Sequence, residues 1–270
     1  MIEITDKEFK KLSEYIKLNY GINLKDEKKI LVTGRLQKIL QENSCRNFTE
    51  YFDGVMGDKS GEAAISMINK ITTNHTYFMR EADHFDYFQN RVLPELKNNI
   101  TNRDLRIWCA ASSTGEEPYT LAIMVDEFFG YEKAGWDTKI LATDLSESAL
   151  ETAISGIYSN EKMEVLSPQR ISAYFKKYDA ENWIINDNIK NDVIYRKFNL
   201  MEPKFPFRKK FHVIFCRNVM IYFDNETRKI LINKLYDALE DGGYLFVGHS
   251  ESVSRTETHF KSVMPSVYRK

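Results

Sequence analysis

The stretch Leu105-Arg106-Ile107-Trp108-Cys109-Ala110-Ala111 runs into Ser112-Ser113-Thr114-Gly115-Glu116-Glu117-Pro118, and an apolar-rich segment follows from Tyr119 to Phe129. A short, continuously apolar run reads as a strand covered on both faces, and proline near the start of the next segment suits a first helical turn. Strand, loop and helix in this order predict a ligand-binding unit. Four further apolar runs, Ile140 to Leu145, Val193 to Phe198, His212 to Cys216 and Tyr244 to Val247, alternate with helix-compatible stretches. This alternation predicts an α/β domain over residues 105–270, with its chemistry beyond the carboxyl ends of the strands.

Upstream the period changes. Phe9, Leu12, Tyr15 and Ile16, and later Phe48, Tyr51, Phe52 and Val55, recur at helical spacing, so residues 1–73 are expected to be all-helical, in three or four short helices. Thr5 and Asp6 can cap the first helix, Gly21 closes it, Gly57 and Gly61 bracket a break, and Ala63 to Ile71 resumes the pattern. Residues 74–104 form the expected linker and connecting helix. Downstream, Tyr174 to Lys190 has extended pieces and turn residues but no helical stripe. A small β insertion at about 174–192 is one reading, and a surface connection anchored by Trp183 is the other.

The composition narrows the classes of function. The 270 residues are 43% hydrophobic and 29% charged, an ordinary globular mixture. Lys plus Arg number 38 against 39 Asp plus Glu, a net charge of −1, so no global field favours nucleic acid. Cys45, Cys109 and Cys216 contain no C-x-x-C spacing, and reduced thiols in a cytoplasmic protein are expected. The amino-terminal residues are charged from Glu3 onward, and no apolar stretch approaches the roughly 18 residues of a membrane span, so neither secretion nor membrane insertion is expected.

The loop at 111–118 is neither a P-loop, lacking the lysine of G-K-[ST], nor a dinucleotide fingerprint, having one glycine of three. Glu116 and Glu117 at a helix start suit a cationic or amino- and hydroxyl-rich ligand, or merely complement the helix dipole. Asp144, at the end of the second run, could accept from ribose hydroxyls or cap the helix from Ser146 to Ile154. Arg217 and Asn218 directly follow an apolar strand, a costly placement unless they bind something, and Tyr222 lies at the same edge. Gly248-His249-Ser250-Glu251-Ser252 falls short of G-x-S-x-G, and no aspartate follows Ser250, which disfavours a hydrolase. The histidines show no H-E-x-x-H, and no metal is expected. Thr72 to Glu81, TTNHTYFMRE, is dense in hydrogen-bonding side chains. It reads either as a capped helix start, with Asn74 or Thr76 as the cap, or as a connector crossing the ligand edge with Arg80 in it.

Taken together, TTNHTYFMRE (72–81), STGEEPYTLA (113–122), ATDLSESAL (142–150), FCRNVMIYF (215–223) and GHSES (248–252) make the chain resemble the chemotaxis receptor methyltransferases of the CheR family. The resemblance covers essentially the whole length. It implies an all-α domain followed by a Rossmann-like S-adenosylmethionine-dependent methyltransferase domain with a β-subdomain insertion. It also implies methylation of glutamate side-chain carboxylates on the cytoplasmic helical bundle of chemoreceptors. By that resemblance Asn74, Thr76 and Arg80 contact S-adenosylmethionine, with Gly115 in its binding loop. Glu117 takes its amino acid part, Asp144 its ribose, and Asn199 and Leu200 flank its adenine with Arg217 and Asn218 nearby. Arg80 and Tyr222 place the substrate carboxylate. Two departures stand out: no glycine precedes Gly115 in the loop, and the insertion, DAENWIINDNIK, lacks the glycine-containing loop of members that dock a receptor pentapeptide. Pentapeptide-independent action is expected. On a helix around Lys25 to Gln41, Lys28, Arg35 and Lys38 fall within about 80° of arc, either a docking stripe for the acidic bundle or a solvated face. A methyltransferase with another acceptor, and a cofactor-binding signalling module without turnover, are the competing functions.

Overall fold

Thr5 opens the first helix with a capping box: its hydroxyl accepts from Glu8 N–H, and the Glu8 carboxylate accepts from Thr5 N–H at 2.8 Å. Helix α1 (Asp6–Tyr20) then runs to Gly21, which ends it in the left-handed conformation. The computed structural model describes residues 2–72, 75–253 and 258–270. Helices α2 (Lys29–Glu42), α3 (Phe48–Gly57) and α4 (Glu62–Ile71) complete the helical set, with Asn47 capping α3 and a left-handed Gly61 preceding α4. Phe9, Leu12 and Ile16 of α1, Val32 and Leu36 of α2, and Phe48, Phe52 and Val55 of α3 are buried. The apolar period read in the sequence is therefore the core period of this unit.

The chain divides into two compact units, one of Met1–His75 with Tyr222–Arg228 and one of Thr76–Ile221 with Lys229–Lys270. In the first, the returning segment is held by an Ile22–Phe223 bridge, by Asn23 N–H donating to the Tyr222 carbonyl at 2.8 Å, and by a Lys17–Asp224 ion pair at 2.7 Å.

The second unit is built on a sheet. Its strands, in chain order, are β1 (Ile107–Ala110), β2 (Ile140–Asp144), β3 (Ile157–Ser159), β4 (Phe175–Lys177), β5 (Asn182–Ile185), β6 (Val193–Lys197), β7 (Phe211–Phe215), β8 (Leu239–Phe246), β9 (Lys261–Met264) and β10 (Val267–Arg269). The main sheet has the order β6-β2-β1-β7-β8-β10-β9, parallel through β8 and antiparallel at β10 and β9. Helix α5 (Ala82–Tyr87) leads through a π-helical stretch, Phe88–Val92, into α6 (Leu93–Asn99). Then α7 (Glu116–Phe129) follows β1 and α8 (Glu147–Ser155) follows β2. This is the mixed α/β arrangement that the alternating runs predict.

The small sheet, β3-β5-β4, is antiparallel and takes β3 from residues 157–159, upstream of the 174–192 stretch assigned to an insertion. Trp183 lies in β5, so this stretch is not the surface connection that was the alternative reading. The antiparallel strands β9 and β10 are likewise absent from the sequence reading.

His212 in β7 shows how burial fixes a protonation state. Its Nδ1 accepts from Arg106 N–H at 3.0 Å, and burial, aided by the Arg106 charge, lowers its pKa from 6.5 to about 4. Burial and Arg217 likewise lower fully buried His84 to about 4. Since both folded values lie below the unfolded one, the unfolded chain binds more protons below pH 6.5. The stability these neutral rings provide is therefore complete above that pH and is lost as pH falls toward 4. We expect urea unfolding to show a loss of about 2 kcal/mol per histidine between pH 7 and 4.5. His212→Asn, which keeps an acceptor but cannot titrate, should remove about half of that slope.

Candidate active site

Strand order reverses between β1 and β7, since β1 leads on to β2 on one side while β6 crosses to β7 on the other. Ligands of open α/β sheets bind in the crevice at such a switch point. The loop leaving β1 is tied across to β2. Ala111 and Ser112 N–H both donate to the Thr143 carbonyl at 2.9 Å, and Ser113 N–H donates to Asp144 Oδ2 at 2.8 Å. Asp144 Oδ1 accepts from Ser146 N–H at 2.9 Å. Burial raises the Asp144 pKa, and these backbone donors oppose the rise. A carboxylate has about four lone-pair sites, so capacity remains for hydroxyl donors. Ser146, not Asp144, caps α8, its hydroxyl accepting from Ala149 N–H at 3.3 Å.

The two acids at the start of α7 separate. Glu116 is fully buried and pairs with Lys162, and Thr114 Oγ1 donates to it at 2.7 Å. Glu117 instead faces β7: its Oε2 accepts from Arg217 Nη1 at 2.6 Å and its Oε1 from the Cys109 thiol at 3.0 Å. Only Glu117 therefore belongs to the strand-tip cluster.

Arg217 is the centre of that cluster. Its side chain is 1% exposed, with the guanidinium over the Phe85 ring at 5.2 Å. Nη2 donates to Glu81 Oε2 at 2.9 Å and to the Arg80 carbonyl. Burial works against its charge, but Glu117 and Glu81 outweigh it and raise the pKa. Burial likewise works to raise Glu81, but the Arg217 and Asn218 hydrogen bonds hold it below its ordinary value. Asn218 Nδ2 donates to Glu81 Oε1 at 3.1 Å. Glu251, 6% exposed, accepts from the N–H groups of Asn218, Gly248 and Ile221 at 2.8, 2.6 and 3.1 Å, joining the loops after β7 and β8. A Cβ on Gly248 would run into the Asn218 amide and lie 2.9 Å from Glu251 Oε2, so any larger residue would displace these two side chains. Ser250 is exposed and takes no part.

Among the expected site residues, Glu117, Arg217 and Asn218 are thus brought together with the backbone of Arg80, while Gly115 lies in the adjoining loop and Asp144 at the end of β2 holds that loop. Thr76 is half-buried and caps no helix, since α5 begins at Ala82. Asn74 lies outside the described residues. Phe78 anchors the linker, meeting Tyr158 of β3 and Phe175 of β4 edge-on at 4.9 and 5.6 Å. Asn199 and Leu200 follow β6, where Asn199 Oδ1 accepts from Met201 N–H at 2.9 Å and Leu200 is buried. Tyr222 is counted with the first unit, half-buried. Sequence reasoning missed Glu81 and Glu251 as partners, although both lie in quoted motifs.

Ser112 Oγ, Ser113 Oγ and Arg217 Nε are buried without a hydrogen-bond partner among the described residues. Buried polar atoms are normally satisfied, so orphans gathered at strand tips point to a polar ligand. The backbone is also unusual here. Among the described residues, five of the eight non-glycine positions with positive φ are Met79, Glu81, Ala111, Ser113 and Asn218. Such conformations cost about 1–3 kcal/mol each and gather where surrounding structure enforces them. The loop after β1 thus makes glycine-like turns at Ala111 (φ 123°) and Ser113 (φ 48°) without glycine. Gly115 is a different case, with φ at +97° and an added Cβ falling 2.7 Å from Tyr158 Oη and 2.8 Å from Ala153 Cβ. Gly115→Ala should therefore destabilise the protein by about 2–4 kcal/mol, combining left-handed strain with overpacking. A loss below ~0.5 kcal/mol in denaturant unfolding would show that the wall behind the loop yields freely.

Comparison with known proteins places this geometry. The CheR methyltransferase SAM binding domain matches residues 74–268, and the CheR methyltransferase all-alpha domain matches residues 7–72. The chemotaxis protein methyltransferase of Borreliella burgdorferi is 41% identical over 272 residues, covering 100% of this chain and 96% of that protein. Chemotaxis protein methyltransferase 1 of Pseudomonas aeruginosa is 34% identical, covering 97% of each. The Escherichia coli chemotaxis protein methyltransferase is 34% identical over 99% of this chain and 92% of its own length. A strand-tip site with a buried, doubly paired arginine, carried by a chain that matches both domains from end to end, belongs to an S-adenosylmethionine-dependent chemotaxis protein methyltransferase of the CheR family.

Proposed function

We propose that this chain methylates glutamate side-chain carboxylates of chemoreceptors, forming methyl esters. The observation that carries the reading is the fixing of Arg80 through its own carbonyl by a buried Arg217 that is itself held by Glu81 and Glu117. Such an arrangement fixes the linker backbone at the strand tips, from which Arg80 would present its charge to the acceptor. Burial raises the Cys109 and Cys216 thiols well above their ordinary range, so they stay protonated. A glutamate side chain, with a reference pKa near 4.3, is already ionised at neutral pH and needs no base.

S-adenosylmethionine supplies an electrophilic methyl group on a sulfonium. The strand tips suit that cation: Glu117 and Asp144 offer negative charge, and Ser112 and Ser113 offer hydroxyls. We assign the amino acid part to Glu117, the ribose to Asp144, and the adenine surroundings to Asn199 and Leu200. Asn74, Thr76 and Arg80 contribute from the linker. Arg217 and Asn218 act through Glu81 and the Arg80 backbone, since most of the Arg217 fork is already engaged. Gly115 serves by keeping the loop tight against Tyr158.

Arg80 and Tyr222 orient the acceptor carboxylate in this reading. Arg80 must not bind the reactant more firmly than the transition state, because uniform binding does not raise the chemical rate. Excluding water favours a path on which opposite charges vanish, and orientation can supply up to roughly 7–11 kcal/mol.

The receptor's acidic cytoplasmic helical bundle is the proposed partner, and the cytoplasm the place of action. No helix among the described residues is long and apolar enough to cross a membrane. Lys28 and Lys38 are exposed and suit docking, whereas Arg35 is half-buried and donates to the Ile71 carbonyl at the end of α4. The turn between β4 and β5 contains no glycine and is closed by Asp179, whose Oδ1 accepts from Glu181 and Asn182 N–H at 2.8 Å each. Action without a pentapeptide tether is proposed on the missing glycine-containing loop alone.

Methyl transfer from labelled S-adenosylmethionine to receptor membranes should give a base-labile product that releases methanol. A base-stable product would assign another acceptor, and binding without transfer would leave only a signalling module. Arg80→Ala should lower turnover at least tenfold more than it lowers calorimetric cofactor affinity, and equal losses would refute the orienting role. Tyr222→Phe should keep the fold and lose rate. Reversing Lys28 and Lys38 to glutamate should raise the receptor KM and flatten its salt dependence.

A further inference from the structure

Next to the Arg217 cluster lie two histidines that the methyltransferase reading does not use, beside Glu81, which it does. Glu81, His84 and His249 each present one ligand atom, and all three atoms lie within 4.8 Å of one another. They come from three places in the chain: the residue preceding α5, the interior of α5 and the loop after β8. His84 Nδ1 is 3.5 Å from Glu81 Oε2, and His249 Nε2 is 3.9 Å from the same oxygen and 3.1 Å from Asp83 Oδ1. Ligand atoms around a tetrahedral ion bound at about 2.0–2.1 Å stand some 3.3–3.4 Å apart, so small side-chain adjustments suffice.

The second observation is His84 itself. It is fully buried, yet neither ring nitrogen has a hydrogen-bond partner among the described residues. Its ring stands edge-on to His249 at 4.6 Å and to Phe246 at 5.7 Å, so packing fixes its direction. A buried imidazole with two idle nitrogens is unfavourable unless something binds it. We propose that Glu81, His84 and His249 form a site for a zinc-type divalent ion, His249 Nε2 giving up its contact with Asp83 to bind it.

Donor chemistry selects the class of ion. Two imidazoles and a carboxylate favour zinc, cobalt or nickel over magnesium and calcium, which prefer all-oxygen sites. The His249 side chain is 46% exposed, which gives an entry path and leaves an open position for water. Opposing these, Glu81 Oε2 already accepts from Arg217 Nη2 at 2.9 Å and from His249 N–H at 3.1 Å. Ion and guanidinium therefore share one oxygen, and affinity should be moderate.

The test is calorimetric titration of the full chain with zinc chloride, with cobalt absorption as an independent probe of nitrogen ligation. One ion per chain is expected, with a ligand-field band for cobalt and no response to magnesium. His249→Ala, which keeps the backbone N–H donor to Glu81, should weaken zinc at least tenfold and abolish the cobalt band. Cys45→Ser should change nothing. No zinc binding, binding unchanged in His249→Ala, or binding lost in Cys45→Ser would each overturn the site. Because the readout is binding alone, the result stands whichever acceptor the enzyme methylates.

Discussion

Everything at the ligand edge depends on the buried Arg217 guanidinium being held by Glu81 on one side and Glu117 on the other. Removing these charges from water is expensive, and buried ion pairs are weak evidence of net stability. What they supply is mutual dependence. Without Glu81, Arg217 would keep its charge with one partner fewer. Without Arg217, two carboxylates would face each other in a low-dielectric setting. The cluster therefore tolerates little rearrangement, and the carbonyl of Arg80 is fixed along with it. Glu251 extends the constraint to the next loop by binding three backbone N–H groups.

How much of this the sequence disclosed follows from the range of each interaction. The strands at 107–110, 140–144, 193–197 and 211–215 were legible because continuous apolar runs carry their own signal. Strand β9 was not, since Lys261–Met264 is largely exposed and has no apolar face. Strand β3 is only three residues long and follows α8 after a single glycine, too short for any period. Arg217 could be suspected as a charge placed directly after an apolar strand, and Glu117 as an acid at a helix start after a strand-loop turn. Glu81 could not, because its partner Arg217 lies 136 residues away and a carboxylate in a linker has no period to break. Glu251 was hidden by its neighbour: Gly248 to Ser252 invites attention to Ser250, which is exposed, when the buried acid is the residue that holds the loop.

The strained backbone follows from the same constraint. Met79, Glu81 and Asn218 all take φ near +60°, and two of them carry side chains of the Arg217 cluster. Relaxing either residue would swing its side chain out of the hydrogen-bond network, so the network enforces the conformation. Local propensity could not anticipate this, since none of the three is glycine.

The electrostatics of the site also agree with the chemistry proposed for it. Glu81 is held below the ordinary carboxylate range and Arg217 above its own, while burial keeps the Cys109 and Cys216 thiols protonated. Around neutral pH these groups keep fixed charge states, unlike the poised acid and base of an enzyme that must shuttle protons. A reaction in which a carboxylate attacks a sulfonium-borne methyl group needs no such shuttle. It needs a constant field and a fixed geometry, and a buried arginine gripped from two sides provides both.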